Sequence, residues 1–356
     1  MLTPLSKYLY SRLTGRVTAL PVLVLMPHSR CNCRCVMCDI WKANASGREI
    51  TSEDLAPHLN AFRRLGVKRV VLSGGEPLMH SNLWTFCEKL KALDARITIL
   101  STGLLLKHHA RQISAFCDDV IVSLDGSREV HNQIRRVPGA YEALEEGVGA
   151  LREIDGAFRI TGRCVIQRGN YFDLLNIVQS ARALELNQIS FLAADVSSNA
   201  FNRPLAWSSE RASEIALDQE QIAELENLVE RLINQYADDI RSGFIAESAE
   251  KLRRLPAHFA AIRGLRDFPP NRCNAPWVSA VVEADGSVRP CFFHRSFGNI
   301  HDGPIDAILN SRDAISFRKQ LDVRRDPVCR TCVCTLYLNP KMAPAEREPP
   351  PVRLVP

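Results

Sequence analysis

Nine of the twelve cysteines fall into two groups. Cys31, Cys33, Cys35 and Cys38 lie near the start of the chain; Cys273, Cys291, Cys329, Cys332 and Cys334 lie near its end. Thiolates favour soft and borderline metals and iron–sulfur clusters. Cys31-x3-Cys35-x2-Cys38 brings three thiolates close enough in sequence to wrap one compact cluster. A cubane iron–sulfur cluster takes four ligands, usually four cysteines. Three protein thiolates would leave one iron open to a small molecule, as catalytic zinc sites keep a position open. A structural zinc knuckle made from all four cysteines of the group is the competing reading. In the second group, Cys273, Cys291, Cys329 and Cys332 form two pairs suited to a closed metal site, with Cys334 able to replace one of them. The seventeen residues between Cys273 and Cys291 argue against a simple zinc ribbon, which uses short pairs on both sides. Cys87, Cys117 and Cys164 sit inside patterned segments and read as small buried hydrophobes, as free cysteine usually is.

A second constellation follows the first. Residues 67–73 read as a short buried strand ending in Gly74-Gly75-Glu76-Pro77. Glycines there let the backbone approach a ligand closely, and Glu76 offers a carboxylate suited to an ammonium group. Alone, a Gly-Gly pair is a turn signal. Its weight comes from order: the cysteine triplet follows one strand and Gly-Gly-Glu-Pro follows the next.

On these residues the chain resembles the radical S-adenosylmethionine (radical SAM) superfamily. The resemblance implies that Cys31, Cys35 and Cys38 hold a four-iron four-sulfur cluster whose fourth iron is chelated by SAM. Gly74, Gly75, Glu76 and Pro77 would contact the SAM amino group. Ser101 and the segment from Ser123 to Asp125 would line the pocket near its ribose and methionyl parts. Met37 stands where the superfamily usually has an aromatic residue, and its polarizable side chain can pack on an adenine face. Cys33 is a bystander. His131-Asn132-x2-Arg135 with Pro138-Gly139 also matches a superfamily pattern and reads as architectural, with His131 and Arg135 at the barrel rim.

The second cysteine group resembles the auxiliary-cluster domains of the superfamily, the SPASM domain and its shorter twitch form. Cys273, Gly286-x4-Cys291 and Cys329-x2-Cys332 match the twitch pattern, which implies one auxiliary four-iron four-sulfur cluster held by Cys273, Cys291, Cys329 and Cys332. The implied chemistry is reductive cleavage of SAM to a 5′-deoxyadenosyl radical that takes a hydrogen atom from a substrate. With a fully ligated second cluster as electron acceptor, the net result is an oxidation, a dehydrogenation or cross-link. Redox-neutral decarboxylation, elimination or rearrangement on a sugar- or nucleotide-type substrate is the alternative. A non-catalytic iron–sulfur or zinc-binding protein is the alternative of another class. The partners implied are a small-molecule or peptide substrate and an external one-electron reductant such as a flavodoxin or ferredoxin.

The elements that must position these residues alternate along residues 20–200. Strands are expected at 20–26, 67–73, 97–100, 120–124, 158–166 and 189–192, and helices at 51–65, 82–93, 141–154 and 172–184. Thr51 caps the first helix with Asp54 three residues on. Continuous apolar strands between helices mean parallel crossovers covered on both faces. With the resemblance, the fold class is α/β, a partial (β/α)6 TIM-like barrel whose site lies at the C-terminal strand ends. Thr102, Gln167 and Asp195 fall there too, open equally to a local capping role.

Residues 196–216 lack periodicity and follow the sixth strand, so they can cover the barrel mouth. A packing helix is expected from Asp218, with Ile222, Leu225, Val229, Leu232 and Tyr236 on one face. A shorter one runs over 247–255 and stops at Pro256. A hairpin with a type I′ turn at Asp285-Gly286 and a helix over 305–315 complete a small C-terminal β-hairpin plus helix domain. The expected organisation is therefore an extension over 1–19, the barrel over 20–200, a connector over 201–270, the auxiliary-cluster domain over 271–338 and a disordered tail over 339–356.

The chain is 356 residues long, with 46% apolar and 24% charged residues and a formal charge of +5. That is ordinary globular composition, and the spread-out charge points to no nucleic-acid or membrane partner. The longest apolar run, 19–26, is too short to span a bilayer and is interrupted by Pro21. A cytoplasmic protein is expected, in which cysteines serve metals and cores rather than disulfides. The twenty or so residues before the first strand are too few for a peptide-leader-binding domain, which leans against peptide maturation.

Overall fold

The computed structural model describes residues 4–339, except 46, 202 and 204. The tail expected to be disordered lies outside the described residues apart from Asn339. Six strands form the barrel wall: β1 (Val22–Leu25), β2 (Arg69–Leu72), β3 (Arg96–Ser101), β4 (Asp119–Ser123), β5 (Arg159–Ile166) and β6 (Gln188–Ala193). They pair in parallel in sequence order. Leu23, Leu25, Val70, Leu72, Ile97, Ile99 and Ile160 are fully buried under the crossover helices. Each such side chain contributes at most about 1.5–3 kcal/mol of transfer free energy.

The sheet does not stop at the barrel. Strand β7 (Ser279–Val282) pairs in parallel with β1, Val22 facing Ser279 and Leu25 facing Val282. Strands β8 (Ser287–Arg289) and β9 (Gly298–Asn299) add on antiparallel, so the order is β6-β5-β4-β3-β2-β1-β7-β8-β9. One continuous sheet therefore carries both cysteine groups.

Thr51 caps its helix as expected: it accepts from Asp54 N at 3.2 Å while Asp54 accepts from Thr51 N at 2.8 Å. That helical stretch is broken into Ser52–Leu55, a tight turn at Ala56–His58, and Leu59–Leu65. Asp218 caps Gln219–Gln235 in the same way, and Ile222, Leu225, Val229 and Leu232 form its buried face.

Several elements differ from expectation. Helices at Pro4–Thr14, Leu106–Phe116 and Arg128–Arg135 are additional to the expected elements, although Leu106, Ala110 and Ile113 recur at helical steps of four and three. Pro256 does not stop a helix; it sits in the first turn of Arg254–Ile262, where no intrahelical N–H is required of it. The 305–315 helix is two, Ile305–Leu309 and Arg312–Gln320.

The β7–β8 turn is not type I′, because only Gly286 takes a positive φ (83°), whereas type I′ needs two. Ala284-Asp285-Gly286 form a three-residue loop. Glu283 N donates to Ser287 O at 2.9 Å, and the Asp285 carboxylate accepts from Ser287 N at 2.9 Å. Among the described residues no helix is long and apolar enough to cross a membrane.

Candidate iron–sulfur centres

The first cysteine loop leaves β1 and is knitted to its surroundings through backbone. Cys31 exchanges two hydrogen bonds with the Asn44 amide, at 2.9 and 3.0 Å. Arg34 N and Val36 N donate to the carbonyls of Arg135 and Ile134, at 3.2 and 3.3 Å, so the end of helix Arg128–Arg135 cradles the loop. Cys38 N donates to Cys35 O, and Ile40 N reaches Cys38 Sγ at 3.5 Å. Burial pushes the Cys31 and Cys38 thiols up to about 12. A hydrogen bond from Cys33 outweighs burial at Cys35 and, with the Arg135 charge, brings it down to about 6. Three sulfurs on one tight loop fit a cluster, and metal binding there must displace protons from Cys31 and Cys38.

Gly74-Gly75-Glu76-Pro77 follows β2 and lies directly against this loop. Gly75 N donates to His28 O at 3.4 Å and Glu76 N to Arg30 O at 2.9 Å. A Cβ on Gly75 would fall on the Arg30 carbonyl, so the approach requires glycine there. The Glu76 carboxylate is fully buried and turned away from open space. It accepts from Leu78 N (3.1 Å), Ser101 Oγ (3.1 Å), Thr102 N (2.6 Å) and Thr102 Oγ1 (2.7 Å). Burial raises its pKa and these donors oppose that. It caps the turn at Pro77–Met79 and ties β2 to the end of β3, a role the sequence reading did not give it.

Ser101 and Thr102 are thus bound to Glu76, and Thr102 Oγ1 also reaches Asn32 Oδ1 of the cysteine loop at 2.9 Å. Ser123, at the end of β4, is half-buried, and Met37, within the loop itself, is buried in the core. Asp125 is fully buried. It forms an ion pair with Arg135 and accepts from Val165 N at 2.8 Å. Arg135 and His131 are themselves buried, not at a rim: His131 accepts from Asp125 N at 3.1 Å. Arg135 Nη1 reaches Cys35 Sγ at 3.4 Å. The expected rim position is thus replaced by a buried one, since a sequence motif does not report which way a helix faces. Gln167 holds a local turn, its N–H donating to the Asn170 side chain at 2.8 Å.

Arg203, Trp207 and Arg211 lie over the cysteine loop. Arg203 pairs with Asp195 at 2.8 Å and reaches Met37 O at 3.4 Å. Trp207 Nε1 donates to Asp39 at 2.8 Å, and Arg211 donates to Val36 O.

The second group gathers around the far end of the sheet. Cys273, Cys291 and Cys334 lie near enough to other thiols of the group that their charges raise them, after burial, which is the larger cause. Cys329 feels Asp326, Cys291 and Cys273 in the same way. Backbone N–H groups point at the sulfurs of Cys273 (from Ala275, 3.4 Å) and Cys332 (from Cys334, 3.3 Å). Asn271 holds the Cys329-x2-Cys332 turn by donating to the carbonyls of Cys329 and Cys332 at 2.7 and 3.0 Å. His294 was not anticipated: its Nε2 lies 3.3 Å from Cys329 Sγ. It stands with Asp326 and Cys329 in a set whose ligand atoms are within 4.8 Å of one another. The Cys291-x2-His294 spacing was the available signal. Cys87, Cys117 and Cys164 are buried, as expected.

Comparison with known proteins fits this geometry. Residues 25–180 match the radical SAM superfamily model, and residues 273–333 match the SPASM iron–sulfur cluster-binding domain. The GTP 3′,8-cyclase of Staphylococcus epidermidis is 29% identical over 155 residues, covering 39% of this chain and 44% of the relative. The chain thus spans less than half the length of that relative. The Fe-coproporphyrin III synthase of Methanosarcina barkeri is 24% identical over 309 residues, 81% of this chain and 73% of the relative. Among solved structures, Streptococcus suis SuiB bound to S-adenosylmethionine has the same fold. Its TM-score is 0.63 at 14% identity, over 92% of this chain and 76% of SuiB.

Proposed function

The chain is a radical SAM enzyme with a C-terminal SPASM-type iron–sulfur domain, and from that premise we propose that it oxidises its substrate by hydrogen-atom abstraction. A radical SAM domain carries a four-iron four-sulfur cluster and SAM, and a SPASM domain carries auxiliary iron–sulfur centres. When bound, these supply a 5′-deoxyadenosyl radical and a one-electron acceptor; the protein's part is to bind, orient and exclude water. In our reading Cys31, Cys35 and Cys38 hold the first cluster, and Cys273, Cys291, Cys329 and Cys332 the second. Gly74 and Gly75 present backbone to the SAM amino group, and Glu76 holds that backbone in place. Ser101, Ser123 and Met37 border the cofactor, while Asp125 acts through Arg135. The domain limits given above belong to the same proposal, as does a flavodoxin or ferredoxin as reductant.

The observation that carries the reading is the Gly75 contact. The segment after β2 is pressed onto the backbone of the cysteine loop with no room for a side chain. That sets the thiolate triplet and the Gly-Gly-Glu-Pro segment side by side. Net oxidation is favoured because the second group offers at least four thiols, enough for full ligation and hence electron transfer rather than substrate binding at an open iron.

The test is product stoichiometry under anaerobic turnover with candidate substrates. An oxidation consumes one SAM per product, whereas a redox-neutral reaction can regenerate it. Replacing Cys31, Cys35 and Cys38 by Ala should abolish 5′-deoxyadenosine formation, and surviving cleavage overturns the assignment.

A further inference from the structure

We infer that His294 tunes the second centre: its ring N–H donates to the sulfur of Cys329, favours the reduced state of the cluster held there, and so makes that centre the better electron acceptor. The inference rests on the proposed oxidation and on Cys291 and Cys329 both holding the second cluster.

One residue is tied to two of the proposed ligands. The His294 Nε2 lies 3.3 Å from Cys329 Sγ, thirty-five residues away along the chain. Its backbone N–H, with that of Phe293, acts on the sulfur of Cys291 and opposes the effect of burial there. The residue is 7% exposed and held in place. Arg289, at the end of β8, donates to the His294 carbonyl at 3.0 Å. The ring meets Phe317 edge-on with centroids 4.8 Å apart, and Phe297 closes on Phe317 at 5.3 Å. That apolar wall would suit a phenylalanine equally well. What histidine adds is a nitrogen, and a buried N–H without an acceptor is costly.

The direction of the bond follows from the acceptor. An iron-bound thiolate has no proton to give, so Nε2 carries the hydrogen and the sulfur accepts. Asp326 does not take that hydrogen. Its Oδ1 is 3.8 Å from Nε2, beyond hydrogen-bond reach, and already accepts from Cys329 N at 2.9 Å. A role for the ring as an iron ligand does not fit either. Ligands on different irons of a cubane are kept apart by the cluster between them, whereas 3.3 Å is a contact between nitrogen and sulfur.

The donor has a specific opponent at this ligand. Burial raises the Cys329 thiol, and the charges of Asp326, Cys291 and Cys273 raise it further. The Asp326 carboxylate therefore opposes added negative charge at Cys329, and the N–H from His294 offsets it on the same sulfur. Hydrogen bonds to its sulfurs are among the levers that set the potential of an iron–sulfur centre. Such bonds strengthen when reduction adds charge, so the donor favours the reduced state. Under the proposed oxidation the second centre accepts one electron from the substrate, and a higher potential favours that transfer.

The experiment is an anaerobic redox titration of full-length, cluster-reconstituted protein. It follows by electron paramagnetic resonance the reduced iron–sulfur signal that does not respond to added SAM. His294→Phe keeps a ring against Phe317 and removes the donor. It should lower the one-electron reduction equilibrium constant about fivefold, a midpoint roughly 40 mV more negative. His294→Gln can place an amide N–H near the same sulfur and should recover most of that shift. Iron and sulfide per chain should match the wild type in both variants. A midpoint that His294→Phe leaves in place or raises overturns the inference. Loss of iron from His294→Phe does so too, as does zinc held by the wild type on His294, Asp326 and Cys329. The wild-type protein carries an independent test that needs no variant to fold. Grown with ring-15N histidine, it should show a weak nitrogen coupling to the SAM-insensitive signal in pulsed measurements. No coupling, or the strong coupling of a directly bound nitrogen, overturns the inference. SAM consumed per product is measured on the same wild-type sample. Regenerated SAM sinks the proposed oxidation, whereas one SAM consumed per product with a midpoint indifferent to His294 sinks only this inference.

Discussion

Replacing Arg135 by Met and Asp125 by Asn together removes a charged hydrogen bond to a sulfur of the first cysteine loop while leaving the net charge unchanged. Arg135 Nη1 lies 3.4 Å from Cys35 Sγ. The donor and its carboxylate partner are 6% and 0% exposed, so water does not screen the interaction. A hydrogen bond to a charged group contributes about 1.5–3 kcal/mol. Reduction adds negative charge to a cluster and strengthens every bond donated to its sulfurs. If somewhat under half of the bond's strength is gained on reduction, the oxidised and reduced states differ by about 1 kcal/mol, which is roughly 40 mV for one electron. The donor favours the reduced state, so its loss should make the midpoint more negative by that amount. The assay is an anaerobic redox titration followed by electron paramagnetic resonance, with the relevant signal identified by its response to added SAM. A midpoint that is unchanged or that rises refutes the reasoning. Arg135→Met alone leaves Asp125 as a buried charge with no cation, which should cost about 3–5 kcal/mol of stability. Most of that cost should be absent from the double variant, which separates tuning from simple collapse.

Glu76→Gln places an amide donor where Leu78 N, Ser101, and Thr102 N and Oγ1 already donate. It should cost about 1–3 kcal/mol in thermal unfolding and weaken SAM binding with iron content retained; unchanged SAM affinity counts against its role. Gly75→Ala must push the segment off Arg30 O and should lower both iron content and SAM affinity; normal values for both would show that the contact is dispensable. Glu247 has its folded pKa raised from 4.5 to about 7. It therefore binds its proton more tightly folded than unfolded, so its contribution is complete below about pH 4.5 and lost as pH rises through about 7. That amounts to a loss of about 3 kcal/mol. Glu247→Gln, which can still accept from Phe191 N, should flatten the fall in melting temperature between those limits, and an unaltered profile would refute the assignment.

What the sequence made legible was local. The cysteine triplet and Gly-Gly-Glu-Pro are contiguous, and each contains the signal of its own chemistry. Strands β1, β2 and β4 are nearly continuous apolar runs, readable because both faces are covered, whereas β5 carries Gly162 and Arg163 in its middle. Helix Leu106–Phe116 carries a thin signal: its buried Leu106, Ala110 and Ile113 recur at steps of four and three, with lysine, arginine and histidines between them. The Glu76 carboxylate looked available because nothing in the chain near it announces Ser101 and Thr102, twenty-five residues on. Asp125 looked like a pocket residue for the same reason; its partner Arg135 is one strand-to-helix turn away, and the orientation of that turn is a tertiary fact. The pairing of β7 with β1 joins residues more than 250 apart, and no periodicity encodes such a match.

That pairing changes how the two centres must be regarded. Val282 O accepts from Met26 N at 2.8 Å, so the strand leading to the first cysteine loop ends on the strand that opens the hairpin before Cys291. A second connection runs across the mouth. Arg203, Trp207 and Arg211 grip the backbone and side chains of residues 36–39. Phe201, held in a left-handed conformation at φ 61°, places its ring 6.4 and 6.0 Å from Phe292 and Phe293, beside Cys291. A bulky side chain in that backbone region is strained and persists only where surrounding contacts hold it. Two separate modules joined by a linker would need neither the shared strand edge nor this clasp. The spacing between the cysteine groups is therefore set by packing rather than by chain length. Under the proposed oxidation, a substrate lying between the two cysteine groups would meet ends whose separation does not vary with a linker.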